Sequence, residues 1–173
     1  MYERLHKLIV RPLAPMDLPA ALRIQAECYP AFLREDEAAF ASRLQIAATY
    51  CLAAFKGDAL IAYLLAHGWA REAPPSVGTI LPPAAPRDVL FLHDLAVSAL
   101  GRGSGIGAHL VERALRQAAR DGIAEAELIA VEGAAAYWQR LGFTEPIVTS
   151  TLATKVAGYG PRARWMRRDI RTL

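Results

Sequence analysis

Apolar positions along the chain change period several times, and each change marks an element. Leu8-Ile9-Val10, ahead of Arg11-Pro12, reads as a first strand. Over 16–28, Leu18, Leu22, Ile24 and Ala26 recur at helical spacing, and Asp17 suits the dipole at the helix start. Pro30 stops this helix, and a second is expected over 35–44. Two apolar runs, 50–55 and 60–66, flank Lys56-Gly57-Asp58 in a hairpin pattern, and a central strand follows over 90–97. From Gly105 the residues Ile106, Leu110, Val111, Ala114, Leu115 and Ala118 trace one helical face. Glu112, Arg113, Arg116, Gln117 and Arg120 take the other. After Asp121-Gly122, residues 127–131 read as a strand, 134–141 as a short helix ended by Gly142, and two strands close the chain. The order β-α-α-β-β-β-α-β-α-β-β predicts an α/β fold, a mixed sheet with helices on both faces. Residues 70–87 carry Pro74, Pro75, Pro82, Pro83 and Pro86 with little periodicity, too long for a mere connector and expected to border a site.

Composition narrows this only a little. The 173 residues suit a single domain over 1–173, and 54% hydrophobic residues argue for a packed core. No apolar run reaches the roughly 18 residues of a membrane span, and 1–7 lacks the apolar stretch of a secretory signal. The two cysteines, Cys28 and Cys51, suggest reduced thiols in a cytoplasmic protein. Net charge is only +3. Arg162, Arg164, Arg167, Arg168 and Arg171 are therefore expected to form the solvated basic edge of a last strand, not a nucleic-acid surface. His6, His67 and His109 lack metal-ligand spacing, so no metal is expected. Dimerisation through the last strands is plausible on this pattern.

The chemistry concentrates where Leu90-Phe91-Leu92-His93-Asp94-Leu95-Ala96-Val97 runs into Arg102-Gly103-Ser104-Gly105-Ile106-Gly107-Ala108. An apolar strand enters a basic glycine turn that opens directly into a helix. Bare amides at a positive helix end, with an Arg beside them, make an anion site suited to the linked phosphates of a nucleotide-containing cofactor. Gly103-x-Gly105-x-x-Ala108, with Glu132 after the next strand, also satisfies a dinucleotide fingerprint. Residues 98–102 intervene between strand and first glycine, however, and the chain has no room for a second half-sheet.

Arg102-x-x-Gly105-x-Gly107, after Leu-Ala-Val and before a helix, resembles motif A of the GNAT N-acetyltransferase superfamily. Ala134-Ala135-Ala136-Tyr137-Trp138-Gln139-Arg140-Leu141-Gly142-Phe143 resembles its second motif. His93 before Asp94-Leu95-Ala96-Val97, Tyr29-Pro30 and the close around Trp165-Met166 resemble the arylalkylamine N-acetyltransferase-like branch.

The resemblance implies a mostly antiparallel, twisted sheet of about seven strands that transfers acetyl from acetyl-CoA to an amine. It implies that Leu95, Ala96 and Val97 offer backbone contacts to pantetheine while Arg102, Gly103, Ser104, Gly105, Ile106, Gly107 and Ala108 wrap the pyrophosphate. His93 is the candidate general base, placed by alternation on the face of Leu95, with Asp94 on the opposite face. The branch has a second His where this chain has Phe91. At the position of the family's thiol-protonating Tyr stands Trp138, assigned to packing against the core or the acyl-thioester, with Tyr137 beside it as an alternative acid. Tyr29, Phe32 and Glu35, together with Asp36 and Glu37, suggest an aromatic and acidic mouth for a small-molecule amine; the acids equally suit a helix start. A non-catalytic acyl-CoA-binding module and a nicotinamide-dependent oxidoreductase are the competing readings.

Overall fold

The computed structural model describes residues 7–46 and 49–173; His6 and all but the last residue of the segment read for a secretory signal lie outside them. Strand β1 (Leu8–Pro12) leads through a 3-10 turn into α1 (Leu18–Cys28), and α2 (Glu37–Gln45) follows. Asp36 caps α2, accepting the Ala39 N–H at 2.8 Å. β2 (Leu52–Lys56) and β3 (Ala59–Trp69) form the hairpin, with Gly57 at φ 61°. β4 (Val89–Val97), α3 (Ile106–Arg120), β5 (Glu125–Ala130), α4 (Ala135–Arg140), α5 (Ser150–Ala157) and β6 (Arg164–Asp169) complete the order.

The sheet runs β1-β2-β3-β4-β5-β6, antiparallel everywhere except between β4 and β5. The apolar stripe of α3 (Leu110, Val111, Ala114, Leu115) packs on one face with Leu90, Leu92 and Leu128. On the other face α1 and α2 cover Tyr63 and Leu65, and α5 covers Phe91 and Trp165. The sheet therefore has six strands among the described residues, not about seven. The expected penultimate strand is α5. Thr149 caps the Leu152 N–H at 3.2 Å, and Leu152 and Val156, one turn apart, enter the core.

Nor is the C-terminal basic stretch wholly solvated. Arg168 donates to Glu112 at 2.6 Å and to the Leu141 carbonyl at 2.7 Å, and it lies against the bare face of Gly142.

Two irregularities of β4 shape the site. In the β3–β4 register Leu65 faces Asp94 while Ala66 faces Leu92, so His93 is the extra residue of a β-bulge. β4 and β5 pair only at Leu90↔Ala126, Phe91↔Glu127 and Leu92↔Leu128, and beyond Leu92 the parallel strands part.

Residues 70–81 turn back over this region. Glu127, 1% exposed on β5, accepts the Glu72 N–H at 3.0 Å, and Arg71 bonds Glu125 at 2.6 Å. Burial pushes the Glu127 carboxyl up to about 7, against the opposing pull of the Glu72 N–H and Arg71. Between its ordinary value and about 7 the folded state keeps a proton that the unfolded chain has released, so stability falls as pH rises through this window. Glu127→Gln keeps an acceptor without the charge. Thermal melts should show the variant's Tm rising relative to wild type as pH increases from about 4.5 to about 7, and levelling above.

Candidate active site

The gap between the parted strands opens a cleft of about 340 Å³ lined by β4 from Leu92 to Val97, by Ile129 and Val131, and by Tyr29, Leu33, Tyr137, Trp138 and Tyr159. The bulge corrects the expected alternation. His93 and Asp94 both face the α1 side, where His93 meets Glu35 and Asp94 meets Tyr63, while Leu95 packs with the α3 cluster. An extra residue turns two consecutive side chains to one face, and no periodicity count can see it.

His93 is held from behind. Its Nε2 lies 2.6 Å from Glu35 Oε1, with both side chains nearly fully buried (3% and 2% exposed). Glu35 also accepts from Arg43 Nη2 at 3.4 Å and from the Gly78 N–H, and Gln25 brackets its backbone with bonds of 2.8 and 3.0 Å. Burial alone would raise the Glu35 carboxyl; the bond and charge of His93, the Arg43 charge and the Gly78 amide outweigh it and hold the group below its ordinary value. An ionised carboxylate only accepts, so the proton between the pair sits on Nε2. In the neutral ring the lone pair is then on Nδ1, which has no protein partner.

Glu35 is thus a buried anchor of His93 and no part of an exposed mouth. Phe32 is 53% exposed and rests against Gly160, away from the cleft wall. Asp36 and Glu37 belong to the start of α2. Of the predicted mouth, Tyr29 alone joins Glu35 in lining the cleft.

Arg43 is the residue that sequence reasoning missed. It is fully buried, donating to the Ala39 carbonyl at 2.5 Å and the Thr79 carbonyl at 2.7 Å besides Glu35. Its one signal is position: it shares a helical stripe with Ala39 and Phe40, where a lone charge demands a buried partner. His67 stands beside His93 with ring centroids 6.4 Å apart, and burial lowers it to about 3, so it stays neutral.

Segment 75–81 is a strap over α2. Gly78 N–H reaches Glu35, Leu81 N–H reaches Ser42 Oγ at 3.0 Å, Tyr159 Oη donates to the Pro75 carbonyl, and Val77 lines the cleft. The expectation that 70–87 borders the site describes this placement.

Along the gap, polar backbone groups alternate. The Ser98 N–H donates to Ile61 O at 2.8 Å, so the Ala96 peptide also points to β3, whereas Leu95 and Val97 turn theirs to the gap. There Tyr29 Oη donates to the Leu95 carbonyl at 2.6 Å and Cys28 Sγ to the Val97 carbonyl at 3.4 Å.

A second hollow of about 450 Å³ continues from Leu95 and Val97 to the turn 101–108. Gly103 and Gly105 hold φ of 77° and 76°, the left-handed region that favours glycine, and a Cβ on either would meet nothing within 4 Å. Gly105 caps α3, whose first-turn amides have no preceding carbonyl to bond. The Ser104 hydroxyl is bound within the turn, to the Gly101 carbonyl at 2.5 Å, and the Ile106 side chain is buried. Arg102 lines both hollows, its guanidinium beside the Cys28 thiol.

A Cβ on Gly107 would lie 2.8 Å from Tyr137 Oη, so that hydroxyl rests on the glycine's bare face, between cleft and groove. Trp138 is 8% exposed and packs edge-on against Tyr137 and Phe143. Of these neighbouring aromatics, Tyr137 is the one that reaches both hollows.

The sheet thus opens at its single parallel joint, and the gap leads to the glycine turn at the start of α3. The sequence pattern of the Acetyltransferase (GNAT) family matches residues 18–143, and the chain belongs to that family. The similar solved structures include the loading GNATL domain of CurA from Lyngbya majuscula (TM-score 0.74, 12% identity, 96% of this chain and 100% of that one). The ribosomal-protein-S18-alanine N-acetyltransferase from Escherichia coli gives a TM-score of 0.69 at 20% identity, covering 96% of each chain. Arabidopsis thaliana Naa50, solved in complex with a bisubstrate analogue, gives 0.66 at 15%, covering 93% of this chain and 97% of that one. No curated protein matches by sequence. Family membership makes the chain an acyltransferase and removes the dinucleotide reading, which a sheet with one parallel joint would not support. Among the described residues no helix is long and apolar enough to cross a membrane, and no three His, Cys, Asp or Glu side chains are grouped to hold a metal ion.

Proposed function

We propose that the chain is one N-acetyltransferase domain that moves the acetyl group of acetyl-CoA directly to the primary amine of a small molecule. The observation that carries the reading is the pairing of His93 Nε2 with the buried Glu35 carboxylate, which leaves the lone pair on Nδ1, a buried atom without a partner, in a side chain that lines the cleft beside the parted strands.

The residues present fit the donor. The open cradle at Gly103 and Gly105, the first-turn amides of α3 at Gly107 and Ala108, and Arg102 would hold its pyrophosphate. The gap-facing peptides of Leu95 and Val97 would pair with its pantetheine arm. When bound, acetyl-CoA supplies an acyl thioester open to attack by an amine.

The chain's own task is protons. A primary amine with a pKa of about 10.4 lies roughly 3.4 units above neutral pH, about 4.6 kcal/mol against its reactive form. His93 Nδ1 accepts that proton, and the bond from Nε2 to Glu35 holds the ring in the tautomer that leaves Nδ1 free. Tyr137 Oη keeps a proton available for the leaving thiolate; a thiol pKa of about 8.5 makes this helpful, not obligatory. Burial raises the Tyr137 hydroxyl, with Arg140 opposing.

A compact acceptor such as an arylalkylamine or polyamine suits a cleft walled by Leu33, Ile129, Val131 and Tyr159 and bordered by the strap at Val77. The likeness of His93, Asp94 and Tyr29-Pro30 to the arylalkylamine branch supports the same choice. Both cysteines are free, in keeping with a cytoplasmic setting.

Thiol release measured over an amine panel, with an alanine-initiated peptide included, tests the proposal. A small amine should turn over fastest. Preference for the peptide would overturn the acceptor class, and release with no member would overturn the transfer itself.

A further inference from the structure

The bulge leaves two adjacent side chains lining the cleft, each with a buried acceptor atom that has no partner among the described residues. His93 offers Nδ1. Asp94 offers Oδ1, buried and without a partner, while its Oδ2 is fixed by the Tyr63 hydroxyl at 2.6 Å. Tyr29 stands close by, but its single hydroxyl proton goes to the Leu95 carbonyl. Among the described residues no arginine or lysine pairs with Asp94; Arg43 is matched instead to Glu35. A buried carboxylate oxygen with no donor is costly, and burial pushes the Asp94 carboxyl above its ordinary range. Such an orphaned oxygen calls for a donor, and a ligand entering the cleft that Asp94 lines would bring one.

We infer that Asp94 Oδ1 and His93 Nδ1 form a two-point clasp for the acceptor's ammonium group, with Asp94 selecting cationic amines over neutral isosteres. The inference deepens the amine-transfer reading and rests on it for the identity of the acceptor. Oδ1 receives one N–H and supplies the negative charge missing from this wall, since the Glu35 charge is already matched by Arg43. Nδ1 receives a second N–H, the proton it later removes. Binding the charged form gathers the amine in its abundant state near neutral pH, and the neighbouring base then generates the reactive form in place.

Isothermal titration of the CoA-saturated protein tests the clasp. The probes are the chlorides of n-butylammonium, phenethylammonium and putrescine, each against its alcohol isostere. At least one ammonium should bind wild type about tenfold or more tighter than its alcohol. D94N should erase that preference while keeping CoA affinity, and D94S should do the same should the Asn variant fold poorly. A preference that survives both variants overturns the clasp, as does a wild type that binds no probe ammonium or binds the alcohols equally. An ammonium that binds with the expected signature but is never acetylated supports the clasp and counts against the transfer reading, so the two are separable.

Discussion

Gly105→Val should leave a folded protein that binds CoA about a hundredfold or more weakly than wild type, read by isothermal titration. Gly105 sits at φ 76° as the cap of α3, and a side chain there would project into the open groove. Left-handed backbone costs an L residue about 1–2 kcal/mol, and a β-branched one is the worst suited. That penalty is modest beside domain stability, because the turn is on the surface and no neighbouring atom lies within 4 Å of the new Cβ. The effect on the anion is larger. Valine methyls fill the approach to the α3 amides, and each charge-assisted bond lost is worth about 1.5–3 kcal/mol, so two suffice for the expected drop. Gly105→Ala carries the backbone strain with less bulk and should fall between the two. Unchanged CoA affinity in the valine variant would remove the phosphate role from this turn.

What could be read from the chain beforehand divides by range of interaction. The helical stripe of α3, the hairpin at Lys56-Gly57-Asp58 and the glycine turn are local patterns, and each sits where its period or turn chemistry put it. Of the two strands expected to close the chain one is the helix α5, for which the cap at Thr149 and the burial of Leu152 and Val156 one turn apart decide. The direction of Asp94 was out of reach for another reason. A bulge is a mismatch between two strands, so β4 alone carries no mark of it. Glu35 looked like an acid at a helix start until Arg43, eight residues on, and His93, on another strand, supplied the partners that let it be buried. Tyr137 and Trp138 are legible as neighbours at the site, but not which of them extends to the groove. Counting back from Gly142-Phe143 puts Trp138 at the family's Tyr position, and both aromatics line the cleft, but only the structure shows that Tyr137 also reaches the glycine turn.

Loss of the imidazole tests the chemistry most directly. His93→Ala should lower kcat/KM for the best amine by about 10²–10⁴ near pH 7, the usual worth of a positioned general base. The sign of the pH response is the sharper criterion. Without a base only the free amine reacts, so the variant's rate should climb about tenfold per pH unit toward the amine's own pKa, near 10.4. Wild type should climb less steeply, because His93 Nδ1 removes the proton in place. The gap between the two enzymes therefore narrows as pH rises. It should narrow also for amines of low pKa, which arrive already neutral. The fold should tolerate the change, since Glu35 keeps Arg43 and the Gly78 amide as partners. CoA affinity should hold as well, because the glycine turn lies on the far side of Leu95 and Val97. Turnover in the variant equal to wild type from about pH 6 to about pH 9 would take His93 out of the mechanism. Glu35 would then be left as the buried counter-charge of Arg43.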